Sequence, residues 1–246
     1  MFLKLERSKM DEVQMCGMMK KTTLGLFLKF TESGFIWVAQ KVHFFLTNQL
    51  RVDNMHEMWC LIDRRPIRFS LYEFENITGL NCDIFDDSDT GETDYKEFWN
   101  EMGVATSVGP LFTELERVFE ISKTWRLEKR MMVGRLCLIS VGVHGIHHGF
   151  RVLLSSAKRV LDPVAFEKYP WGQVAFDSLL RSVKIVKYDG ESYVIHGCVQ
   201  ALLVWIYESV PGIGEACEFR KSTLTGVPLL DWRSSRKRFN FTAFIE

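Results

Sequence analysis

"RRPIRFSLYEFENITGLNCD", residues 64–83, holds the densest set of local structure signals in the chain. Ser70 stands just before an apolar-periodic run, and Glu73 follows three residues later. That spacing is a capping box: the hydroxyl accepts an orphan backbone N–H, and the carboxylate reaches back to the cap. Phe69 before the cap and Phe74 at the fourth helical position match a hydrophobic staple. Leu71, Phe74 and Ile77 share one helical face, and Gly79 supplies the positive φ that stops a helix. Immediately upstream, "WCLI" (59–62) and "IRF" (67–69) are β-prone runs joined by "DRRP" (63–66). They predict a two-stranded hairpin with Pro66 at the turn or at a strand start. Each conspicuous residue has a structural task, so the stretch reads as a fold signature and not as a catalytic centre.

Outward from this stretch, a chain of 246 residues is long enough to bury a sizeable core. Hydrophobic residues make up 47% and charged residues 25%, the ordinary globular balance. A formal net charge of +0 leaves no global field to recruit nucleic acid or an anionic membrane. The 6 cysteines are scattered, with no CxxC pair, which predicts free thiols in a reducing, intracellular compartment. No secretory signal is expected in the charged opening residues, and no apolar run approaches the length needed to span a bilayer.

Residues 1–22 read as a loose leader, and 23–246 as one mainly α domain with one small β-hairpin. Helices are predicted over 35–50, near 95–102, from about 111, over 127–149, twice within 156–186, and over 191–210. Ile36, Val38, Ala39, Val42, Phe45 and Leu46 would form the buried face of the first. Pro163 starts or breaks a helix, and "YPWG" (169–172) makes a corner. Pro211 and Gly212 would stop the last helix. Residues 222–246 lack a helical period and read as an extended, basic and aromatic arm.

"HEMWCLIDRRPIRFSLYEFENITGLNCD" (56–83) resembles the signature of a plant domain of unknown function expanded in crucifers. That family often precedes a ubiquitin-like (SUMO-type) cysteine protease domain in proteins derived from Mutator-like transposons. Its hairpin carries a turn glycine where this chain has Arg65. "DPVAFEKYPWGQVAFDSLLRSVK" (162–184) is similar to a second family segment through Asp162, Phe166, Tyr169, Pro170, Trp171, Gly172 and Phe176. Two later segments extend the resemblance over most of 24–244. The hairpin and capped helix also resemble, more distantly, the plant mobile domain. The resemblance implies a nuclear setting and supplies no active site, because the protease chemistry belongs to the other domain.

The chain's own chemistry offers few constellations. There is no phosphate-binding G-x-x-x-x-G-K-[ST] loop, no G-x-S-x-G elbow and no H-E-x-x-H. "HGIHH" places His144, His147 and His148 at helical spacings that zinc uses, with Cys137 seven residues earlier. The competing reading is three histidines at a helix C-terminus, satisfied by carbonyls or solvent. His196 and Cys198 lie two apart, which on a helix points them away from each other. The acidic residues Asp86, Asp87, Asp89, Glu92 and Asp94 lack EF-hand spacing and read as a solvated loop. No cofactor and no metal are expected.

The closing "DWRSSRKRFNF" interleaves Arg233, Arg236, Lys237 and Arg238 with Trp232, Phe239 and Phe241. Such a run neutralises phosphates and stacks on bases, or it docks its aromatics and points its cations outward. The expectation is a non-enzymatic interaction or targeting module with a protein partner and no membrane association. A nucleic-acid-binding accessory domain is the alternative, with the arm joined by Arg64, Arg65 and Arg68 or by Lys158 and Arg159. The first reading requires an exposed apolar or aromatic surface. The second requires the basic groups to converge.

Overall fold

A computed structural model describes residues 10–84, 94–145, 150–188, 190 and 192–234. In chain order it runs α1 (Met10–Met19), α2 (Gly25–Glu32), α3 (Ala39–Thr47), β1 (Gln49–Leu50), β2 (Glu57–Ile62), β3 (Arg65–Ser70) and α4 (Leu71–Thr78). There follow α5 (Lys96–Met102), α6 (Phe112–Ile121), α7 (Leu127–Leu138), α8 (Leu154–Lys158), α9 (Pro163–Lys168) and α10 (Trp171–Ile185). The chain continues through α11 (Val199–Ser209), α12 (Pro211–Cys217), β4 (Glu218–Arg220), α13 (Pro228–Asp231) and β5 (Trp232–Ser234). The fold is mainly α.

The hairpin is antiparallel, with Ile62 opposite Arg65 and Glu57 opposite Ser70. Its two turn residues, Asp63 (φ 48°) and Arg64 (φ 58°), both adopt positive φ, the backbone of a type I′ turn. Arg65 therefore begins β3 and does not sit in the turn. Pro66 lies inside that strand, opposite Leu61. Because β3 is an edge strand, the ladder tolerates the missing N–H. A third strand, β1, flanks β2 on its other side.

Ser70 ends β3 in extended backbone and caps α4 in the same step. Its Oγ accepts from the Tyr72 N–H at 3.3 Å, and its own N–H donates to Glu73 Oε2 at 2.8 Å. Burial alone would raise the Glu73 carboxyl. Hydrogen bonds from the Ser70 hydroxyl, the Arg68 guanidinium and the Ser70 backbone outweigh it and hold the group below its ordinary value. The Phe69 and Phe74 rings meet at 6.3 Å across the cap. Gly79, at φ 65°, closes the helix by donating to Glu75 O at 2.7 Å. Ser70→Ala is expected to cost about 1 kcal/mol, read as a lowered urea midpoint. An unchanged midpoint would remove the side-chain cap from this account.

The capped helix packs its Phe74 face on α10 and α11. Phe69 sits 5.7 Å from Phe176 and 5.1 Å from Trp205, and Phe74 lies 5.6 Å from Phe176. The second signature stretch docks beside the first. Asp162 caps α9 by accepting from the Val164 and Ala165 N–H groups, with Pro163 at the first helical position. Pro170 is the residue before α10, and the Trp171 indole N–H donates to Phe166 O at 2.8 Å. The Gly172 N–H donates to Asn81 O at 2.8 Å. A Cβ on Gly172 would run into the Cys82 sulfur and come within 2.7 Å of Asn81 O. Gly172→Ala is expected to cost about 1–3 kcal/mol through overpacking, visible as a lowered melting temperature. A neutral result would mean that "YPWG" and "GLNC" are not pressed together.

The structure departs from the sequence reading at several ends. Residues 10–19, read as leader, form α1, with Met15 and Met19 in the core. Helix α3 starts at Ala39 because the aromatic and β-branched run before it is extended, with Val38 at φ −122°, ψ 90°. Helix α7 runs into a π-helical turn, Ile139–Val143, and stops before Gly145, whose φ is 58°. Residues 146–149 of that predicted helix lie outside the described residues. The helix expected over 191–210 is only Val199–Ser209, because Gly197 sits at φ 93°. As expected, α11 ends at Ser209, just before Pro211 and Gly212, and Pro211 then opens the separate α12. The arm is docked up to residue 234: α13 leads into β5, which pairs with β4.

Candidate functional site

Among the described residues, those singled out for chemistry do not assemble. His144 is buried, and its Nδ1 lies 2.9 Å from Ser178 Oγ. Its Nε2 is sealed from solvent without a hydrogen-bond partner. His147 and His148 lie outside the described residues, as do Asp86, Asp87, Asp89 and Glu92. Among the described residues no three His, Cys, Asp or Glu side chains group as metal ligands. His196 and Cys198 lie before α11 and not on a helix. Burial pushes the Cys198 thiol up to about 12, so at neutral pH it stays protonated and weakly nucleophilic. Cys60, Cys82 and Cys137 are raised to about 12 in the same way. The five described cysteines are free.

The basic arm is divided. Arg236, Lys237 and Arg238 lie outside the described residues. Trp232 is only 7% exposed, and its indole N–H donates to Glu208 Oε1 at 2.7 Å. Its ring packs 5.3 Å from Tyr207. Docked this way, it is unavailable to stack on a base. Arg233 is exposed on β5. On the hairpin, Arg64 and Arg65 are exposed, while Arg68 is tied to Glu73 at 3.0 Å.

A site that the sequence reading missed lies between the start of α3 and the loop before α11. It is an open groove of about 640 Å³. Trp37, 40% exposed, forms one wall with His43. Tyr188 and Tyr193 form the other. Tyr193 OH and His43 Nδ1 lie 2.7 Å apart, with the two rings stacked at 5.6 Å and 25°. Tyr188 meets Tyr193 edge-on at 5.1 Å and donates its hydroxyl to Val183 O at 2.6 Å. Burial pushes the Tyr188 hydroxyl up to about 12 and raises that of Tyr193. Both phenols are therefore neutral at physiological pH, with their hydroxyls already engaged. What the groove presents to a ligand is ring surface, with Val194 and the polar Gln40 and Ser192 also in its lining. The one signal in the sequence was the density of aromatics in 35–45 and 188–193. The apolar periodicity that marks a buried face does not distinguish such rings from core.

The family described as a domain of unknown function (DUF1985) matches residues 46–182, more than half of the chain. The chain belongs to the DUF1985 family. The matched segment is shorter than the 24–244 over which the resemblance was read. It contains the hairpin with its capped helix and the "YPWG" corner, and ends two residues before the end of the second signature stretch. The groove falls outside it: Trp37 and His43 precede the DUF1985 segment, and Tyr188 and Tyr193 follow it. No curated protein and no solved structure matches the chain. Among the described residues, no helix is long and apolar enough to cross a membrane.

Proposed function

We propose that this DUF1985 protein is a non-enzymatic protein-interaction module whose docking face is the groove of Trp37, His43, Tyr188 and Tyr193. The observation that carries the reading is the His43–Tyr193 contact, which fixes the loop before α11 to α3 beside the exposed Trp37. Aromatic-lined grooves suit extended proline-containing peptides. Such peptides are preformed and lose little entropy, and proline rings lie flat on aromatic ones. The resemblance to a transposon-linked plant family favours a nuclear setting.

The test is a fluorescence-anisotropy screen of proline-containing decapeptides against the folded chain. Peptides that bind should lose at least tenfold in affinity with Tyr193→Ala or Trp37→Ala, about 1.4 kcal/mol, as truncation of an aromatic anchor does. If no peptide binds better than its scrambled control, or if both variants bind as the parent does, the groove is not a docking face.

A second reading, a nucleic-acid-binding accessory domain, draws on the exposed Arg64 and Arg65 at the hairpin with the C-terminal Arg236, Lys237 and Arg238. It requires binding to duplex or single strands that weakens steeply with salt and with neutralisation of those residues. Absence of binding at low salt would dismiss it.

A further inference from the structure

On α7, Arg130 is only 8% exposed. Its Nε is sealed from solvent and makes no hydrogen bond. Among the described residues no carboxylate forms an ion pair with it. The terminal nitrogens of this largely buried guanidinium are not sealed and have no counter-charge among the described residues, so a ligand carboxylate can reach and neutralise them. Arg130 also lines a narrow cleft between α1, α2, α6 and α7, about 40 Å³ in volume and walled mainly by Met15, Met19, Leu28, Phe119 and Leu138. Lys123 stands at the same cleft but is held by Glu120 at 2.7 Å. Beyond the cation, the walls are apolar and carry thioethers, which adapt to an inserted chain more readily than branched side chains do.

We infer that this cleft binds a small monocarboxylate with a short unbranched apolar chain, its carboxylate on Arg130 and its chain among Met15, Met19 and Phe119. Two independent observations converge on this ligand: the unpaired cation and the apolar slot that it borders. A carboxylate meets a guanidinium through paired N–H···O bonds. A space of 40 Å³ admits about three water-sized groups at roughly 10–15 Å³ each, which sets a short chain.

Butyrate is the probe, followed by the methyl resonances of Met15 and Met19 in the full chain, with butan-1-ol as the uncharged control. Saturable shifts are expected with butyrate, and binding at least tenfold weaker with butan-1-ol. Arg130→Met should abolish that preference while raising the melting temperature of the free protein, because it removes an unpaired buried charge. A merely structural arginine would lower it. Arg130→Lys should keep the preference at reduced affinity. Equal binding of acid and alcohol to the parent, no saturable shift, or a preference that survives Arg130→Met would each overturn the assignment. The parent's acid–alcohol comparison decides the matter even if neither variant folds.

Discussion

Trp205→Ala is expected to lose about 3–5 kcal/mol of stability, the range for truncating a large buried aromatic. The indole is fully buried on α11. It lies 6.2 Å from Phe45 on α3 and 5.1 Å from Phe69 at the end of β3. Its N–H also donates to Arg68 O at 2.9 Å. One residue thus joins three elements, and its removal leaves both a void and an unpaired strand carbonyl. A domain of this kind is stable by only about 5–15 kcal/mol, so the variant should sit near the edge of folding at 37 °C. Trp205→Phe separates the two contributions: it keeps most of the ring volume and loses the hydrogen bond, at about 1–2 kcal/mol. Urea titration followed by circular dichroism measures both. A loss under about 1 kcal/mol for Trp205→Ala would show that the cluster is not packed as described.

Acidification should expose a second large effect, centred on His144. Burial pushes its imidazole down from 6.5 to about 4, because the folded chain offers Nδ1 only Ser178 and Nε2 nothing. The unfolded chain protonates this group near its ordinary value, and the folded chain resists until about pH 4. Between those limits the unfolded state binds more protons, so stability is full above about pH 6.5 and falls as pH drops through the window. The loss at the acid end is about 3 kcal/mol. His144→Gln cannot take the proton and should lose less stability by about that amount between pH 7 and pH 4. Equal losses in the two proteins would mean that His144 is not held neutral by the fold.

The legible parts of the architecture were those specified within a few residues. Ser70 and Glu73 cap a helix through bonds spanning three positions, Gly79 stops it, and Asp162 with Pro163 starts another. The parts that could not be read depend on distant partners. Strand β1 is two residues long and exists because Gln49 and Leu50 find Cys60 and Trp59. The end of α7 and the late start of α11 are one event, in which the Gly197 N–H donates to His144 O at 2.9 Å. Gly197 also packs against the backbone of Leu179 on α10 so closely that a Cβ would lie 2.7 Å from its Cα. The groove was hidden for the same reason: its walls stand 150 residues apart in the chain.

That separation, set against the continuity of the hairpin and its capped helix, orders events in time. The unit from Glu57 to Gly79 forms from neighbours, so its loop-closure cost is small, whereas joining His43 to Tyr193 requires most of the chain to be in place. We expect Ser70→Ala to slow refolding with a φ-value of about 0.5–0.8, and Tyr193→Ala to act almost wholly on the unfolding rate. Stopped-flow chevrons distinguish the two, and a high φ-value at Tyr193 would reverse the order. A surface that closes last is also the first to open. A peptide seated there would therefore slow amide exchange over 192–199 before anywhere else, and a nascent or truncated chain would carry the hairpin without the groove.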